Sequence, residues 1–331
     1  MHTLLIMLPM FNHGLVVGKF YPPHLGHSFL IETALKNCKT VSVILCWKKS
    51  ETISGMLRGQ WLKKMHPTID LKIIEDIRLR DDDSEGWAAF TKQILGTTPD
   101  AVFTSEGYGD PYAKFLNCVH VLVDRERTTI PISATMVRKN PIKYAHHLNP
   151  VVRGSFAKRV CIVGAESTGT TTLSKALAEH YKTVWVPEYG RIYSESKFSS
   201  LNGTEWTTEE FTTIAHEQMR MEDMLAEQSN GLVICDTDPF ATTIWHERYM
   251  HRPSPEVEAI ANKRNYDLYI VTGDEIPFTQ DGYRDGESIR HWMHNRFIEK
   301  LDQSHRKYII VTGSHADRMT AATKAIDSLL E

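Results

Sequence analysis

Ten short apolar runs, in two sets of five, punctuate this sequence, and longer amphipathic stretches separate them. In the first half GLVVG (14–18), VSVILC (41–46), LKIIE (71–75), AVFTS (101–105) and HVLVD (120–124) read as buried strands. In the second half RVCIVG (159–164), TVWVP (183–187), GLVICD (231–236), DLYIVTG (267–273) and KYIIVTG (307–313) repeat the pattern. Runs that are apolar throughout suit strands covered on both faces. Strands alternating with helices need crossover connections, which imply parallel sheets with right-handed crossovers. The fold class is therefore α/β, with two consecutive parallel-sheet domains. Pro141, Pro150 and Gly154 mark the break, giving domains at 14–140 and 158–331 with a linker at about 141–157.

A hydrophobic share of 41% and a charged share of 24% exclude a disordered or fibrous chain. The formal net charge of -3 provides no field for nucleic acid or an anionic membrane. Cys38, Cys46, Cys118, Cys161 and Cys235 form no CxxC pair, which fits buried thiols in a reducing cytoplasm. The apolar start MHTLLIMLPM lacks a basic region and a cleavage site and is too short to span a bilayer. A cytoplasmic protein without membrane insertion is expected. HERYMH (246–251) departs from HExxH, has no third ligand in view, and reads as a surface helix.

The first strand runs into GKFYPPHLGH (18–27). Ligands of parallel sheets lie at the C-terminal ends of strands. Gly18 lets backbone approach a phosphate, with Lys19 and Phe20 in the same loop, and a helix starting near Leu25 aims free N–H groups there. His24 and His27 face one side of that helix entrance and can donate to phosphate oxygens as charge develops. Near the end of the same half, ISATMVR (132–138) offers Ser133 as a cap, Thr135 in the first turn and Arg138 further on. Hydroxyls, free N–H groups and a guanidinium at a helix start make a triphosphate site. Either motif alone also suits a structural helix start.

Together GKFxPxHxGH and ISxTxxR, in this order, resemble the nucleotidyltransferase superfamily that transfers NMP groups from NTPs. The resemblance covers roughly 14–140 and implies a Rossmann-like domain. It further implies in-line attack of a substrate phosphate on the α-phosphate of ATP, with Mg2+ and no covalent intermediate. His24, His27, Ser133, Thr135 and Arg138 would then hold ATP phosphates, with Lys19 near the substrate or triphosphate. The strings SGMLRGQWL (54–62), the acidic run with EGW (81–87) and TSEGYGDPYA (104–113) are similar to nicotinamide-mononucleotide adenylyltransferases. That likeness implies Trp87 stacked on a nicotinamide ring, with Tyr108 also on the substrate. Trp87 as a core residue of an amphipathic helix is the competing reading, and Arg58 reads as a solvated helix residue.

RVCIVGAESTGTTTL (159–173) is a strand, a glycine loop and a helix start. Gly164 and Gly169 have the spacing of GxxxxGK[ST], whose backbone N–H groups cradle phosphates around Glu166, Ser167 and Thr168. Thr171 stands at the Mg2+ position, followed by Thr172, while Thr170 replaces the lysine. Lys175 follows about one turn later. LVICDTD (232–238) reads as a Walker B strand, with Asp236 as the Mg2+ partner and Asp238 on the substrate. VPEYGR (186–191) offers Glu188 to accept a hydroxyl proton and Arg191 to bind phosphate. DGYRDGESIRHW (281–292) reads as a lid carrying Arg284 and Arg290. The set points to a P-loop nucleoside kinase-like domain.

In this order the halves resemble the bifunctional NadR-type proteins, a nicotinamide-mononucleotide adenylyltransferase joined to a ribosylnicotinamide kinase, and ESTG, PEYGR and CDTDPFAT carry the kinase part of the likeness. It implies conversion of ribosylnicotinamide to NMN and of NMN to NAD, with ATP and Mg2+. Two departures stand out. The loop lysine is absent, so a catalytically weak nucleotide-sensing domain is a second reading and a non-catalytic NAD-pool sensor a third. A flavin or pantetheine phosphate acceptor in the first half is a fourth. Thirteen residues precede Gly14, so neither a helix-turn-helix domain nor nucleic-acid binding is expected. A homo-oligomer stays open.

Overall fold

The computed structural model describes residues 10–75, 80, 82–199, 205–278 and 287–331. The chain divides into two compact units, Met1–Val152 and Arg153–Glu331. The first is built from β1 (Phe11–Gly18), α1 (Leu25–Asn37), β2 (Cys38–Trp47), α2 (Gly55–Met65), β3 (Asp70–Glu75), α3 (Ser84–Leu95), β4 (Ala101–Thr104), α4 (Gly109–Leu116), β5 (Val119–Leu122), α5 (Ala134–Lys139) and the start of α6 (Pro150–Phe156). The second comprises β6 (Lys158–Val163), α7 (Thr170–His180), β7 (Val184–Val186), α8 (Tyr189–Ser199), α9 (Thr208–Ala226), β8 (Leu232–Asp236), α10 (Pro239–Met250), α11 (Pro255–Ala261), β9 (Leu268–Thr272), α12 (Arg290–Gln303), β10 (Tyr308–Val311) and α13 (His315–Leu330).

Each apolar run of the sequence is a strand, and every strand pair is parallel. The first sheet has the order β3-β2-β1-β4-β5 and the second β10-β9-β6-β8-β7. In the first, the chain winds outward from β1 on one side and then restarts at β4 on the other. That reversal opens a crevice at the C-terminal ends of β1 and β4, where the HLGH segment begins. In the second, β6 lies between β8 and β9, so the glycine loop leaving β6 emerges beside Asp236 at the end of β8.

Alternation along the strands fills both faces of each sheet. Val16, Val43, Leu45 and Phe103 pack under α1 and α2, while Leu15, Ile44 and Val102 pack with Tyr112 and Leu116 of α4. In the second unit Val160, Ile162, Ile234 and Ile270 meet Leu173 and Leu177 of α7, and Cys161, Val233, Cys235 and Tyr269 meet Phe240 and Phe297. Each such fully buried Val, Leu or Ile contributes about 1.5–3 kcal/mol. The five cysteines are unpaired and four are buried; Cys118 is half-buried. Burial drives the Cys161 and Cys235 thiols well above their ordinary range, which keeps them unreactive.

Two expectations fail. HERYMH is no surface helix: α10 is buried on most of its circumference, and His246 is fully enclosed, bonded to Thr208 Oγ1 and the Arg252 carbonyl at 3.0 Å each. Arg58 is not solvated either. It is fully buried in α2, where it ion-pairs with Glu51 at 2.5 Å and donates to the Lys19 carbonyl at 2.7 Å. Among the described residues no helix is long and apolar enough to cross a membrane.

Candidate functional site

In the first unit α1 starts with a reciprocal cap built from its two histidines. His24 is the N-cap in an extended conformation, and its Nδ1 accepts the Gly26 N–H at 3.1 Å. His27 Nδ1 accepts the His24 N–H at 3.3 Å. The rings stack with centroids 3.8 Å apart, and Phe20 meets His27 edge-on at 5.1 Å. Because each Nδ1 accepts, each neutral ring carries its proton on Nε2. Burial, with Arg127 and His147 nearby, lowers the His24 pKa to about 4; burial and the His24 neighbour push His27 well below its ordinary value. Both rings are therefore neutral Nε2–H donors at physiological pH. Gly26 makes this possible: a Cβ there would stand 3.0 Å from the His24 ring.

A cavity of about 320 Å³ opens beside them, lined by His24, His27, Ser105, Glu106, Asp124, Arg127, Ser133 and Thr135 among others. Ser133 caps α5 as expected, its Oγ accepting the Met136 N–H at 3.2 Å. Arg138 does not line the cavity. It lies over the Tyr21 ring at 4.5 Å, donates to the Tyr21 carbonyl and reaches Thr135 Oγ1 at 3.1 Å. The Arg58 guanidinium lies 4.9 Å from the same ring. Gly18, Lys19 and Phe20 also stand outside the lining. Phe20 is buried with φ 45°, and a Cβ at Gly18 would crowd its ring at 3.2 Å.

Trp87 is half-buried: it packs against the Leu15–Ile44 cluster and donates from Nε1 to the Arg80 carbonyl at 3.0 Å. Tyr108 is 38% exposed at the start of α4, its hydroxyl 3.4 Å from the Val17 carbonyl. The loop between β4 and α4 is drawn shut by His120, which bonds Asp110 at 2.6 Å and Thr104 Oγ1 at 2.8 Å. Sequence reading missed that clamp because His120 looked like one more strand residue.

In the second unit a separate cavity of about 150 Å³ gathers Gly164, Glu166, Ser167, Thr170, Thr171, Glu188 and Arg191. Gly169 caps α7 with φ 85°, a left-handed turn that glycine adopts without cost. Thr168 fastens the loop from below, bonding the Ala165 carbonyl and Thr272 Oγ1 at 2.7 Å each. A Cβ at Gly164 would fall 2.1 Å from that Thr272 oxygen. Glu166 ion-pairs with Arg248 at 2.8 Å, and Arg191 with Glu195 at 2.9 Å. Thr172 is exposed beyond the lining.

Asp236 is buried, and burial raises its pKa to about 6 despite the nearby Thr171 and Thr170 hydroxyls. Its Oδ1 has no hydrogen-bond partner among the described residues. A desolvated anionic oxygen beside a threonine hydroxyl is the donor set a hard divalent cation takes. The opposite wall is aromatic: Phe198, Trp206, Phe211, Trp245 and Tyr249 line it, with Arg248 stacked on Trp245 and Tyr249. Nothing local in the sequence announced this wall, whose rings come from three helices and a loop.

Two further expected residues are engaged within the fold. Asp238 is fully buried, caps α10 through the Ala241 N–H at 2.9 Å and accepts from the Tyr269 hydroxyl at 2.7 Å. Arg290 is buried and donates to the Ile276 carbonyl at 2.8 Å. Arg284 and the first half of the lid segment, 281–286, lie outside the described residues.

Two parallel sheets, each presenting a helix N-terminus at a cavity, and one glycine loop of P-loop geometry define a two-unit nucleotide-binding α/β protein. Residues 159–318 match a family model described as an AAA domain. The Escherichia coli (strain K12) trifunctional NAD biosynthesis/regulator protein NadR is 30% identical over 325 residues, covering 90% of this chain and 78% of that protein. The Salmonella typhimurium protein of the same name is 30% identical over 338 residues, covering 92% and 80%. The chain belongs to the NadR family. Crystal structures of a NadR protein with NR and of one with NAD and AMP-PNP share the fold, with TM-scores of 0.79 and 0.77, 22% identity, and coverage of 98% of this chain and 97% of theirs.

Proposed function

We propose that this chain makes NAD by salvage: its first unit transfers AMP from ATP to nicotinamide mononucleotide, and its second phosphorylates ribosylnicotinamide. The observation that carries the reading is the His24–His27 cap beside a cavity shared with Ser133 and Thr135. A phosphate oxygen of the mononucleotide attacks the α-phosphorus of ATP in line, the bond to the β-phosphate oxygen breaks, and pyrophosphate leaves. The two Nε2–H donors and the N-termini of α1 and α5 stabilise charge spreading over the phosphates. Catalysis here is positioning plus electrostatics.

In the second unit the flat, cationic pyridinium of ribosylnicotinamide suits the wall of Trp206, Trp245 and Tyr249. Glu188 takes the proton of the ribose 5′-hydroxyl as its oxygen attacks the γ-phosphorus, and ADP leaves. Mg2+, for which Asp236 and Thr171 are the candidate ligands, would neutralise charge on the transferring phosphate. Thr170 in place of lysine favours one alternative, a second unit that senses nucleotide with little turnover.

The test is to supply ATP with either NMN or ribosylnicotinamide and to follow NAD, pyrophosphate and ADP. NAD and pyrophosphate from NMN, with additional ADP from ribosylnicotinamide, is the expected result. ADP from neither substrate leaves the sensing alternative, and no NAD from NMN sinks the main reading.

A further inference from the structure

Resting on the phosphate-binding reading of the glycine loop, the missing lysine raises the matter of where compensating charge comes from. In a P-loop the lysine contacts the β- and γ-phosphates. The Thr170 side chain that replaces it carries no charge. The arginines around the loop are committed too. Arg191 pairs with Glu195, Arg248 with Glu166, and Arg318 with Glu275 and the Thr168 carbonyl. Arg290 donates to the Ile276 carbonyl.

Lys175 differs from all of these. It projects from α7, the helix that starts at Thr170, and is exposed. Among the described residues it has neither an ion pair nor a hydrogen bond; its Nζ rests 4.5 Å from the centroid of the Trp185 ring. That indole is itself fixed, donating from Nε1 to Ser174 Oγ at 3.0 Å. Trp185 lies in β7 opposite Ile234, two residues short of Asp236 on β8, so its ring stands beside the Walker B strand. Side chains on a helix lean toward its N-terminus, here toward Thr170 and Thr171. An exposed cation–π contact is worth only about 0.5–1 kcal/mol. A charge-assisted hydrogen bond to phosphate is stronger, so the ammonium can leave the ring when a nucleotide arrives.

We propose that Lys175, stationed on Trp185, is the cation that this site uses in place of the loop lysine, turning from the indole to the β- and γ-phosphates of bound ATP. The probe is ATP·Mg2+ titrated onto the full chain. The readouts are hydrogen-exchange protection of the peptide covering residues 164–173 and ribosylnicotinamide-dependent ADP release. Adenylyl transfer liberates pyrophosphate and not ADP, so the first unit does not interfere. Lys175→Met should raise the ATP concentration for half-protection about tenfold and lower ADP release about 10²-fold. Lys175→Arg should retain both, and adding Thr170→Lys to Lys175→Met should restore both, which a merely structural lysine would not predict. Unchanged protection and unchanged ADP release in Lys175→Met overturn the inference while leaving the kinase reading intact. If the unmodified chain releases no ADP, the kinase reading fails and the loop titration still decides the role of Lys175. A loop that ATP·Mg2+ never protects removes both.

Discussion

Asp236→Asn should stabilise the second unit while abolishing its phosphoryl transfer. The carboxylate is 1% exposed, and burial lifts its pKa from 3.8 to about 6. For an acid whose folded pKa is raised, the folded state binds more protons than the unfolded one between those values. Stability is therefore fully present below the unfolded pKa and declines as pH rises through the folded pKa. A rise of about two units corresponds to about 3 kcal/mol lost at pH 7.5. An asparagine carries no charge and its carbonyl oxygen stays beside the threonine hydroxyls, but its Nδ2 brings a donor with no assigned acceptor, costing about 1–3 kcal/mol. The expected net gain is then up to about 2 kcal/mol at pH 7.5, shrinking toward zero or below by pH 5. Hydrogen exchange of the β8 peptide reports the opening free energy of this unit without requiring the whole chain to unfold in one step. A pH-independent loss of stability in Asp236→Asn would refute the reasoning, because it would mean that the carboxylate is not strained by burial. Saturating ATP·Mg2+ should stabilise the unmodified unit more than the variant.

Four further outcomes follow from the first unit. Gly26→Ala brings a Cβ against the His24 ring and should lower NAD formation from NMN about tenfold with the circular dichroism spectrum retained. His24 is depressed to about 4, so the stability its neutral form contributes is complete above about pH 6.5 and falls as pH drops toward 4; a denaturation series over that window should show the decline. Arg58→Leu leaves Glu51 without its buried partner and should cost about 3–5 kcal/mol, read from exchange in the α2 peptide. His120→Leu opens the clamp between Thr104 and Asp110 and should raise the KM for NMN more than it lowers kcat, with His120→Gln partly rescuing it.

The sheets were legible because a strand buried on both faces has to be apolar along its length, as Val43–Cys46 and Leu232–Cys235 are. Capped helix starts were legible too, since Ser133 and the glycine loop act within a few residues of themselves. Long-range compensation was not. Arg58 reads as solvated until Glu51 and the Lys19 carbonyl are brought to it, and Asp238 reads as a ligand until Tyr269 arrives from β9. Trp206 and Trp245 are unremarkable aromatics in the sequence, and only the packing of α9 against α10 turns them toward one cavity.

The reciprocal cap at the start of α1 restricts the chemistry of the first unit through what its imidazoles have already given up. Each ring commits its basic lone pair to a backbone amide of its own helix, so neither can collect a proton without releasing that helix end. An acceptor that must first lose a hydrogen, such as a sugar hydroxyl, finds no base in this pair. An acceptor that arrives already ionised, as a phosphate monoester does near neutral pH, needs none. The unit that holds Glu188 has the carboxylate that a hydroxyl acceptor requires. On the proposed function, one chain would thus separate two transfers by whether the incoming oxygen still carries its hydrogen.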